Sequence, residues 1–256
     1  MTDLSLPDFR LDGQHAFVTG ASSGLGVRFA RVLSAAGAKV TLTARRRERL
    51  DSLAGELRAQ GGAAFAETLD VTRPSDISRA FEAAEQAQGP VSILVNNAGM
   101  NVQARASEVS EDAFDTMMAT NVKGAFFCAT EAGRRMLAHN IQGRIINIAS
   151  IGAHTVLPGL TVYCMSKAAV AMMTRSLARE WAKSGINVTA ICPGYIETEL
   201  NAEWFASEGG KKHIQSWPRR RLAVEDDLDG MLLLLASPAS RVITGSILTV
   251  DDGQSL

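Results

Sequence analysis

Short apolar segments alternate with longer amphipathic ones along the whole of this 256-residue chain. The short segments lack strict alternation of polar and apolar residues, which is typical of parallel strands that are covered on both faces. The longer segments carry apolar residues at helical spacing. Because a helix follows each strand, the crossovers are right-handed, and the order predicts an α/β fold with a doubly wound parallel sheet in three α/β/α layers.

Seven parallel strands are predicted, at 15–19, 39–44, 64–68, 93–96, 144–149, 187–192 and 247–250. Helices are predicted at 24–36, 46–60, 74–88, 111–139, 163–184 and 224–236. The stretch 195–222 does not follow this alternation of strands and helices and is predicted to be irregular. A long irregular stretch inside a compact domain is usually a lid or binding loop. We therefore expect one domain, residues 1–256, with a substrate lid at about 195–222.

Charge and cysteine content exclude several classes of protein. The 26 basic and 27 acidic side chains nearly cancel, so no nucleic-acid or anionic-membrane partner is expected. The start of the chain lacks a signal-peptide pattern, and the apolar run 232–236 is too short to span a bilayer. Cys128, Cys164 and Cys192 are widely spaced, which predicts neither disulfides nor a metal site and fits the reducing cytoplasm.

A glycine-rich turn, Thr19-Gly-Ala-Ser-Ser-Gly-Leu-Gly26, follows the first strand and opens the first helix. Gly20, Gly24 and Gly26 permit a tight turn and close backbone approach, while the helix N-terminus attracts phosphate. This position favours dinucleotide binding on a Rossmann-type sheet.

The end of the second strand indicates which dinucleotide is bound. An acidic residue there would bind the adenosine ribose hydroxyls of NAD, but the chain reads Thr43-Ala44-Arg45-Arg46-Arg47. Arginines at a helix N-terminus oppose the helix dipole, so a bound 2′-phosphate explains them better than solvent does. The sequence predicts NADP(H) in preference to NAD(H).

A tyrosine and a lysine, Tyr163 and Lys167, lie one helical turn apart, and Ser150 precedes the tyrosine by 13 residues. The lysine ammonium favours the phenolate and is expected to lower the pKa of Tyr163. The serine hydroxyl can hold a substrate oxygen against the tyrosine. The arrangement predicts proton transfer at an alcohol or carbonyl oxygen while another group takes the hydride.

Four motifs, in this order, make the chain resemble the short-chain dehydrogenase/reductase family in its compact single-domain branch. They are Thr19-Gly-x-x-x-Gly-x-Gly26, Asn96-Asn-Ala-Gly99, Ser150 with Tyr163-x-x-x-Lys167, and Pro193-Gly-Tyr-Ile-Glu-Thr198. The resemblance implies that Tyr163 is the general acid or base and that Ser150 polarises the substrate oxygen. It implies that Lys167 lowers the pKa of Tyr163 and binds the nicotinamide ribose. Asn121 would interrupt its helix and anchor a water that joins Lys167 to solvent.

The same resemblance implies a set of cofactor-binding residues and an assembly. The set is Gly20, Ser22, Ser23, Gly24, Leu25, Gly26, Arg45, Arg46, Asp70, Val71, Asn97, Ala98, Gly99, Tyr163, Lys167, Pro193, Gly194, Ile196 and Thr198. Ser23 departs from many NADP-dependent relatives, which carry a basic residue at that position. The two long helices form subunit contacts in similar proteins, so a homotetramer is expected.

Substrate is expected between the lid and the loops after the fourth and fifth strands. The candidate contacts are Ser150, Ile151, His154, Val156, Tyr195, Trp204 and Phe205. This mostly apolar set favours a neutral hydrophobic or aromatic ketone over a sugar or keto acid.

Two alternatives remain open. One is a 3-oxoacyl-thioester reductase acting on carrier-protein or CoA substrates, although the positions that would dock an acidic carrier are the uncharged Ile141 and Ser184. The other is an NADP-sensing binding protein without chemistry, a class that usually lacks the tyrosine or the lysine that this chain keeps.

Overall fold

The seven apolar segments form one parallel sheet in the computed structural model, which describes residues 8–197 and 202–256. The strands are β1 (His15–Thr19), β2 (Lys39–Ala44), β3 (Ala64–Thr68), β4 (Ile93–Asn96), β5 (Arg144–Ile148), β6 (Asn187–Pro193) and β7 (Ile247–Val250). Their spatial order is β3-β2-β1-β4-β5-β6-β7, and every pairing is parallel. The predicted doubly wound sheet is confirmed.

Helices cover both faces of this sheet. They are α1 (Leu25–Ala35), α2 (Arg47–Ala59), α3 (Pro74–Gln88), α4 (Glu111–Met118), α5 (Ala125–Ala138), α6 (Thr161–Trp181), α7 (Ala202–Ala206), α8 (Glu208–Gln215) and α9 (Asp229–Ala236). No helix within the described ranges is long and apolar enough to cross a membrane.

Adjacent residues of β1 point into two separate cores. Val18 packs with α1, α2 and α9 on one face of the sheet. Phe17 packs with α3, α5 and α6 on the other, where its ring stacks on Phe81 with centroids 4.0 Å apart. Burial on both faces explains why the strands read as continuous apolar runs.

The helix predicted over 111–139 is interrupted. Between α4 and α5 the backbone takes a π-helical turn, Ala119–Gly124, which contains the buried Asn121. Such turns insert one extra residue per turn and often lie at functional sites. Gly124 closes the turn where a side chain would meet Val71, since an added Cβ would lie 2.8 Å from that residue.

The segment 195–222, predicted to be a lid, contains more regular structure than its sequence indicated. Its described part includes the two short helices α7 and α8, and Ser207 caps α8 by accepting a hydrogen bond from the N–H of Gly210 at 3.2 Å. The two ends of the segment meet, because Ile196 and Ala223 form a parallel β-bridge. The prediction of an irregular stretch was therefore wrong for α7 and α8.

Candidate active site

An open cleft of about 1290 Å³ runs along the carboxyl ends of the strands. Its centre lies between β1 and β4, where the strand order reverses. From β1 the chain proceeds toward one edge of the sheet, and from β4 it proceeds toward the other edge. Open α/β sheets bind their ligands at this point.

The glycine-rich turn lines the cleft and leaves no room for a side chain at Gly20 or Gly26. Gly20 has φ +70°, and a Cβ there would lie 2.9 Å from the Cα of Ala98. A Cβ on Gly26 would lie 2.3 Å from the carbonyl oxygen of Gly20. The turn therefore presents bare backbone at the start of α1, as a pyrophosphate group requires.

Side-chain hydrogen bonds fix this turn to the loop after β4. Thr19 Oγ1 accepts hydrogen bonds from the N–H groups of Asn97 and Ala98, both at 2.9 Å. Asn97 Nδ2 in turn donates to the carbonyl oxygen of Thr19 at 2.9 Å. These hydrogen bonds thus fix the distance between the loop after β1 and the loop after β4.

Arginines line the cleft beyond the glycine-rich turn. Arg46 reaches back to the turn, where its Nη2 donates to Ser22 Oγ at 2.9 Å and to Ser23 Oγ at 2.8 Å. Arg47 points elsewhere, because its Nε bonds both carboxylate oxygens of Asp51 at 2.9 and 3.0 Å. Of the three consecutive arginines, Arg45 and Arg46 line the cleft and Arg47 does not.

Asp70 lies on the cleft floor after β3. Its Oδ1 accepts hydrogen bonds from the N–H of Thr72 at 3.0 Å and from the Thr72 hydroxyl at 2.8 Å. Burial raises the pKa of this carboxyl, but these bonds and the nearby charge of Arg45 outweigh burial and lower it overall. Asp70 is therefore an anionic hydrogen-bond acceptor at neutral pH.

Ser150 and Tyr163 meet at the other end of the cleft. Ser150 lies two residues after β5 and caps the following turn, since its Oγ accepts a hydrogen bond from the N–H of Gly152 at 3.0 Å. Tyr163, in the first turn of α6, lines the same end of the cleft, close enough for the Ser150 hydroxyl to influence its pKa. The two hydroxyl groups thus converge on one point of the cleft.

The direction of the Tyr163 pKa shift differs from the sequence prediction. Burial raises the pKa of Tyr163, and the nearby Ser150 hydroxyl lowers it by less. The Lys167 ammonium lies 5.6 Å from the centre of the tyrosine ring and donates to the carbonyl oxygen of Ile148 at 2.8 Å. Burial lowers the pKa of Lys167 to about 8. The net direction for the phenol is thus opposite to that expected from the lysine alone.

Asn121 ties the interrupted helix to the cleft. Its Oδ1 accepts from the N–H of Met100 at 2.9 Å, and its Nδ2 donates to the Met100 carbonyl at 2.8 Å and to Ser166 Oγ at 3.0 Å. Ser166 Oγ donates to the carbonyl oxygen of Tyr163 at 2.7 Å. A Cβ on Gly99 would lie 3.5 Å from both Asn121 Oδ1 and Lys167 Nζ. Hydrogen bonds through Ser166 therefore connect Asn121 to the backbone of Tyr163, and Lys167 lies near Asn121 beside Gly99.

A family model described as short chain dehydrogenase matches residues 14–209, which include the glycine-rich turn and the Ser150, Tyr163 and Lys167 cluster. The chain belongs to the short-chain dehydrogenase family. It is an oxidoreductase that acts on CH–OH groups with a nicotinamide cofactor.

Relatives within the family cover nearly the whole chain. Gluconate 5-dehydrogenase of Gluconobacter oxydans is 35% identical over 98% of each chain. The NAD-dependent glycerol dehydrogenase of Listeria innocua is 33% identical over 97% of this chain and 96% of its own. The crystal structure of a gluconate 5-dehydrogenase from Burkholderia cenocepacia, in complex with NADP and tartrate, superposes with a TM-score of 0.92 at 35% identity, covering 96% of this chain and 97% of that one.

Most residues predicted to bind the cofactor line the cleft of this short-chain dehydrogenase. They are Gly20, Ser22, Ser23, Gly24, Leu25, Arg45, Arg46, Asp70, Val71, Asn97, Ala98, Gly99, Tyr163, Lys167, Pro193, Gly194 and Ile196. Gly26 lies behind the turn, where it permits close packing rather than lining the cleft. Thr198 lies outside the described residues.

The predicted substrate contacts divide into two groups. Ser150, Ile151 and Tyr195 line the cleft. His154, Val156, Trp204 and Phe205 do not. His154 is exposed with its Nε2 3.5 Å from Thr249 Oγ1, and Val156 is 87% exposed.

Trp204 and Phe205 belong to the aromatic packing of the lid, behind Tyr195. The Tyr195 ring stacks on Trp217 with centroids 5.2 Å apart and meets Phe205 edge-on at 5.7 Å. Phe205 is buried in this packing, while Trp204 is 45% exposed on its outer side. These rings therefore support the cleft wall instead of forming it.

Sequence reasoning also missed residues that line the cleft. They include Arg31, Arg49, Thr120, Leu157, Leu160 and Glu225. Arg49 was detectable, because it lies two residues after the run Arg45–Arg47, in the first turn of the helix that this run begins. Thr120 was not, because it reaches the cleft only through the π-helical turn.

Proposed function

We propose that this protein interconverts a neutral ketone and its secondary alcohol with NADP(H). The observation that carries the proposal is the convergence of the Ser150 and Tyr163 hydroxyls at one end of a cleft whose other end is lined by arginines. The bare glycine-rich turn between them fits a pyrophosphate. NADPH, when bound, supplies the hydride.

The side chains of Ser150, Tyr163 and Lys167 carry out the proton transfer. Ser150 Oγ already accepts the Gly152 N–H, so its hydroxyl is oriented to donate to a substrate oxygen and polarise it. Tyr163, with its raised pKa, is a protonated phenol at neutral pH and donates its proton to the oxygen that becomes the alcohol. In the reverse direction the same phenolic oxygen takes the proton back. Lys167 adds positive charge 5.6 Å from the centre of the Tyr163 ring and favours the deprotonated form of the phenol.

Arg45 and Arg46 support NADP(H) over NAD(H). Both line the cleft, and Arg46 Nη2 lies 2.8 Å from Ser23 Oγ, beside the phosphate-binding turn. The Arg46 guanidinium thus places a positive charge beside Ser23, the position at which many NADP-dependent relatives carry a basic residue. The arginine fork suits the 2′-phosphate dianion.

The walls around the Ser150 end support a neutral substrate with an apolar part. Met100, Ile151, Leu157, Leu160 and Tyr195 line this region. Among the described cleft residues, the charged side chains other than Lys167 come from the glycine-rich-turn end: Arg31, Arg45, Arg46, Arg49, Asp70 and Glu225. Among the described residues, a substrate carboxylate would therefore find no cation near the reacting carbon except Lys167, which already donates to the carbonyl oxygen of Ile148.

A second candidate is the oxidation of a polyol, as the names of the gluconate and glycerol dehydrogenase relatives suggest. Asn101 in the cleft wall supports it, because a carboxamide can bind vicinal hydroxyl groups.

A steady-state panel decides between the two candidates. It pairs NADPH and NADH with acetophenone, 1-phenyl-1,2-propanedione and acetoacetyl-CoA, and NADP⁺ and NAD⁺ with gluconate, galactitol and glycerol. We expect the highest kcat/KM with an aromatic ketone and NADPH. Turnover confined to polyols would replace the first candidate by the second, and turnover confined to the thioester would contradict both. Tyr163→Phe must abolish whichever activity is found.

We also propose self-association through the faces of α4, α5 and α6. Phe114, Phe126, Phe127, Met165 and Met172 are large apolar side chains exposed on these helices, and Met172 is 58% exposed. Exposed apolar patches mark interaction sites. Light scattering after size-exclusion chromatography tests the expected homotetramer, and a monomeric mass would contradict it.

A further inference from the structure

The side-chain amide of Gln254 is bound to both backbone groups of Tyr195. The N–H of Tyr195 donates to Gln254 Oε1 at 2.6 Å, and Gln254 Nε2 donates to the carbonyl oxygen of Tyr195 at 3.2 Å. Asn121 binds Met100 in the same way, at 2.9 and 2.8 Å. Met100 and Tyr195 both line the cleft. Two opposite parts of the cleft wall are thus each held by one carboxamide.

Gln254 is packed too closely against this backbone to act as a loose surface contact. A Cβ on Gly194 would lie 2.3 Å from Gln254 Oε1 and 2.7 Å from the Cβ of Asp251. Pro193 and Gly194 line the cleft immediately before Tyr195. A glycine is needed at this position because the C-terminal turn occupies the space of a side chain.

Asp251 fixes the turn that presents Gln254. It is 8% exposed, and its carboxylate accepts hydrogen bonds from the N–H of Gly253 at 3.0 Å and the N–H of Ser255 at 2.8 Å. Its carbonyl oxygen accepts from the N–H of Gln254 at 3.0 Å. The amide of Gln254 is therefore preorganised toward Tyr195.

The same turn also holds the end of the lid. Asp252 pairs with Arg219 Nη1 at 3.2 Å and with Arg221 Nε at 2.7 Å. Arg220 and Asp252 have φ +51° and +55°, a conformation that non-glycine residues adopt only where their surroundings hold it. The strained residues on both sides indicate that the contact between lid and turn is a defined one.

The ring of Tyr195, which lines the cleft, is also held in place by aromatic contacts. It stacks on Trp217 with an interplanar angle of 19° and meets His213 edge-on at 5.3 Å. With its backbone bound by Gln254 and its ring packed in the lid, Tyr195 has one position relative to Ser150 and Tyr163. A wall held in this way packs against the apolar part of a substrate that is large enough to reach it, and this contact weakens when the wall is free to move.

We infer that Gln254 is a positioning residue that fixes Tyr195 and thereby sets which substrates the site accepts. The inference rests on the proposed function, because it assigns Tyr195 to the substrate wall. Loss of the amide leaves the Tyr195 N–H without its partner and releases the wall, at a cost that corresponds to about a tenfold change in binding.

The test compares Gln254→Met, which keeps the length and removes the amide, with Gln254→Glu, which keeps the acceptor and loses the donor. Leu256→Ala, in the same turn with an exposed side chain, is the matched control. The substrates are acetophenone and acetone with NADPH. We expect Gln254→Met to raise KM for acetophenone about tenfold, with kcat and the acetone KM within about twofold of the parent. Gln254→Glu should show a smaller rise, and Leu256→Ala should show none.

A spectroscopic measurement makes the test independent of turnover. The chain has three tryptophans, so Trp181→Phe and Trp204→Phe leave Trp217, which stacks on Tyr195, as the single reporter. We expect Gln254→Met to raise acrylamide quenching of Trp217 about twofold and Leu256→Ala to leave it unchanged. If the parent reduces neither ketone, the proposed function fails, while the quenching result still tests the position of Tyr195. Unchanged quenching and unchanged KM, or equal losses of kcat for both ketones with a lowered melting temperature, would overturn the inference.

Discussion

Lys167 Nζ lies 5.6 Å from the centre of the Tyr163 ring, and burial lowers the pKa of this ammonium to about 8. The group is therefore charged at neutral pH and loses its charge in mildly basic solution. Its attraction for an anionic dinucleotide is present below pH 8 and is lost as the pH rises through that value. We predict that the Kd for NADPH rises roughly threefold or more between pH 7 and pH 9.5, measured by nucleotide fluorescence. Lys167→Met should bind weakly with no such rise, and equal pH slopes for both proteins would contradict the assignment.

Because the Lys167 ammonium is buried, we expect this residue to destabilise the folded state. Its pKa falls from 10.5 to about 8 on folding, so the unfolded chain binds the proton more tightly. Stability is therefore lost as the pH falls from 10.5 through 8, and the penalty is complete at pH 7. We predict that Lys167→Met raises the melting temperature at pH 7 by roughly 3 °C or more while abolishing activity. Tyr163→Phe serves as the inactive control without this gain. A lower melting temperature for Lys167→Met would show that its bond to Ile148 outweighs the cost of burying the charge.

A second buried titratable group lies at the opposite end of the sheet. His15 is 2% exposed, with Nδ1 2.7 Å from the carbonyl oxygen of Gly89 and Nε2 2.8 Å from Thr41 Oγ1. Burial lowers its pKa from the usual 6.5, so the folded state holds the neutral ring. The contribution of His15 to stability is present above pH 6.5 and is lost as the pH falls through the lowered folded value.

We predict that the free energy of unfolding, from urea titrations, falls between pH 7 and pH 5 in the parent. His15→Gln should be less stable at pH 7 and should show a smaller fall. His139→Gln, at an exposed position, should keep the full fall. A parent whose stability is constant over this range would contradict the prediction.

The sequence predicted the sheet closely because burial on both faces leaves a strong signal in each strand. β1 to β4 and β7 begin and end at the predicted residues, and β5 and β6 differ by one residue. The helix predicted over 111–139 is interrupted at Asn121, as the family resemblance implied, whereas helical spacing alone did not indicate the π-helical turn because that turn depends on the distant bonds of Asn121 to Met100. Lid helices α7 and α8 were missed because each is at most eight residues long.

The site was predictable where a motif specifies backbone geometry and less so where tertiary contacts direct side chains. The glycine-rich turn and the Ser150–Tyr163 pair lie where their spacing indicated. The direction of the Tyr163 pKa was missed, because burial cannot be read from a spacing of four residues. Gln254 was missed entirely, since 59 residues separate it from Tyr195 and no motif contains it.

Arg46 and Arg47 provide a matched pair for testing the cofactor. Both are exposed arginines at the start of α2, but Arg46 bonds Ser22 and Ser23 in the turn whereas Arg47 bonds Asp51. We predict that Arg46→Ala raises KM for NADPH by about 10- to 100-fold and leaves KM for NADH within about twofold. Arg47→Ala should change neither value. Equal effects of the two substitutions on NADPH would mean that a general positive field, and not Arg46 itself, holds the 2′-phosphate.

Gly26 and Gly55 both lie in helices, but only Gly26 is closely packed. Alanine substitutions at the two positions therefore distinguish the effect of steric crowding from the effect of helix propensity. An added Cβ on Gly26 would lie 2.3 Å from the carbonyl oxygen of Gly20, whereas one on Gly55 in α2 would meet nothing within 4 Å. We predict that Gly26→Ala displaces the phosphate-binding turn and weakens NADPH binding by about tenfold or more. Gly55→Ala should keep the affinity and add about 0.5–1 kcal/mol of stability through its better helix propensity. Nucleotide titration and urea unfolding of both variants give the comparison. An unchanged affinity in Gly26→Ala would mean that the turn can shift without disturbing the site, and would remove the close approach as the reason for glycine at this position.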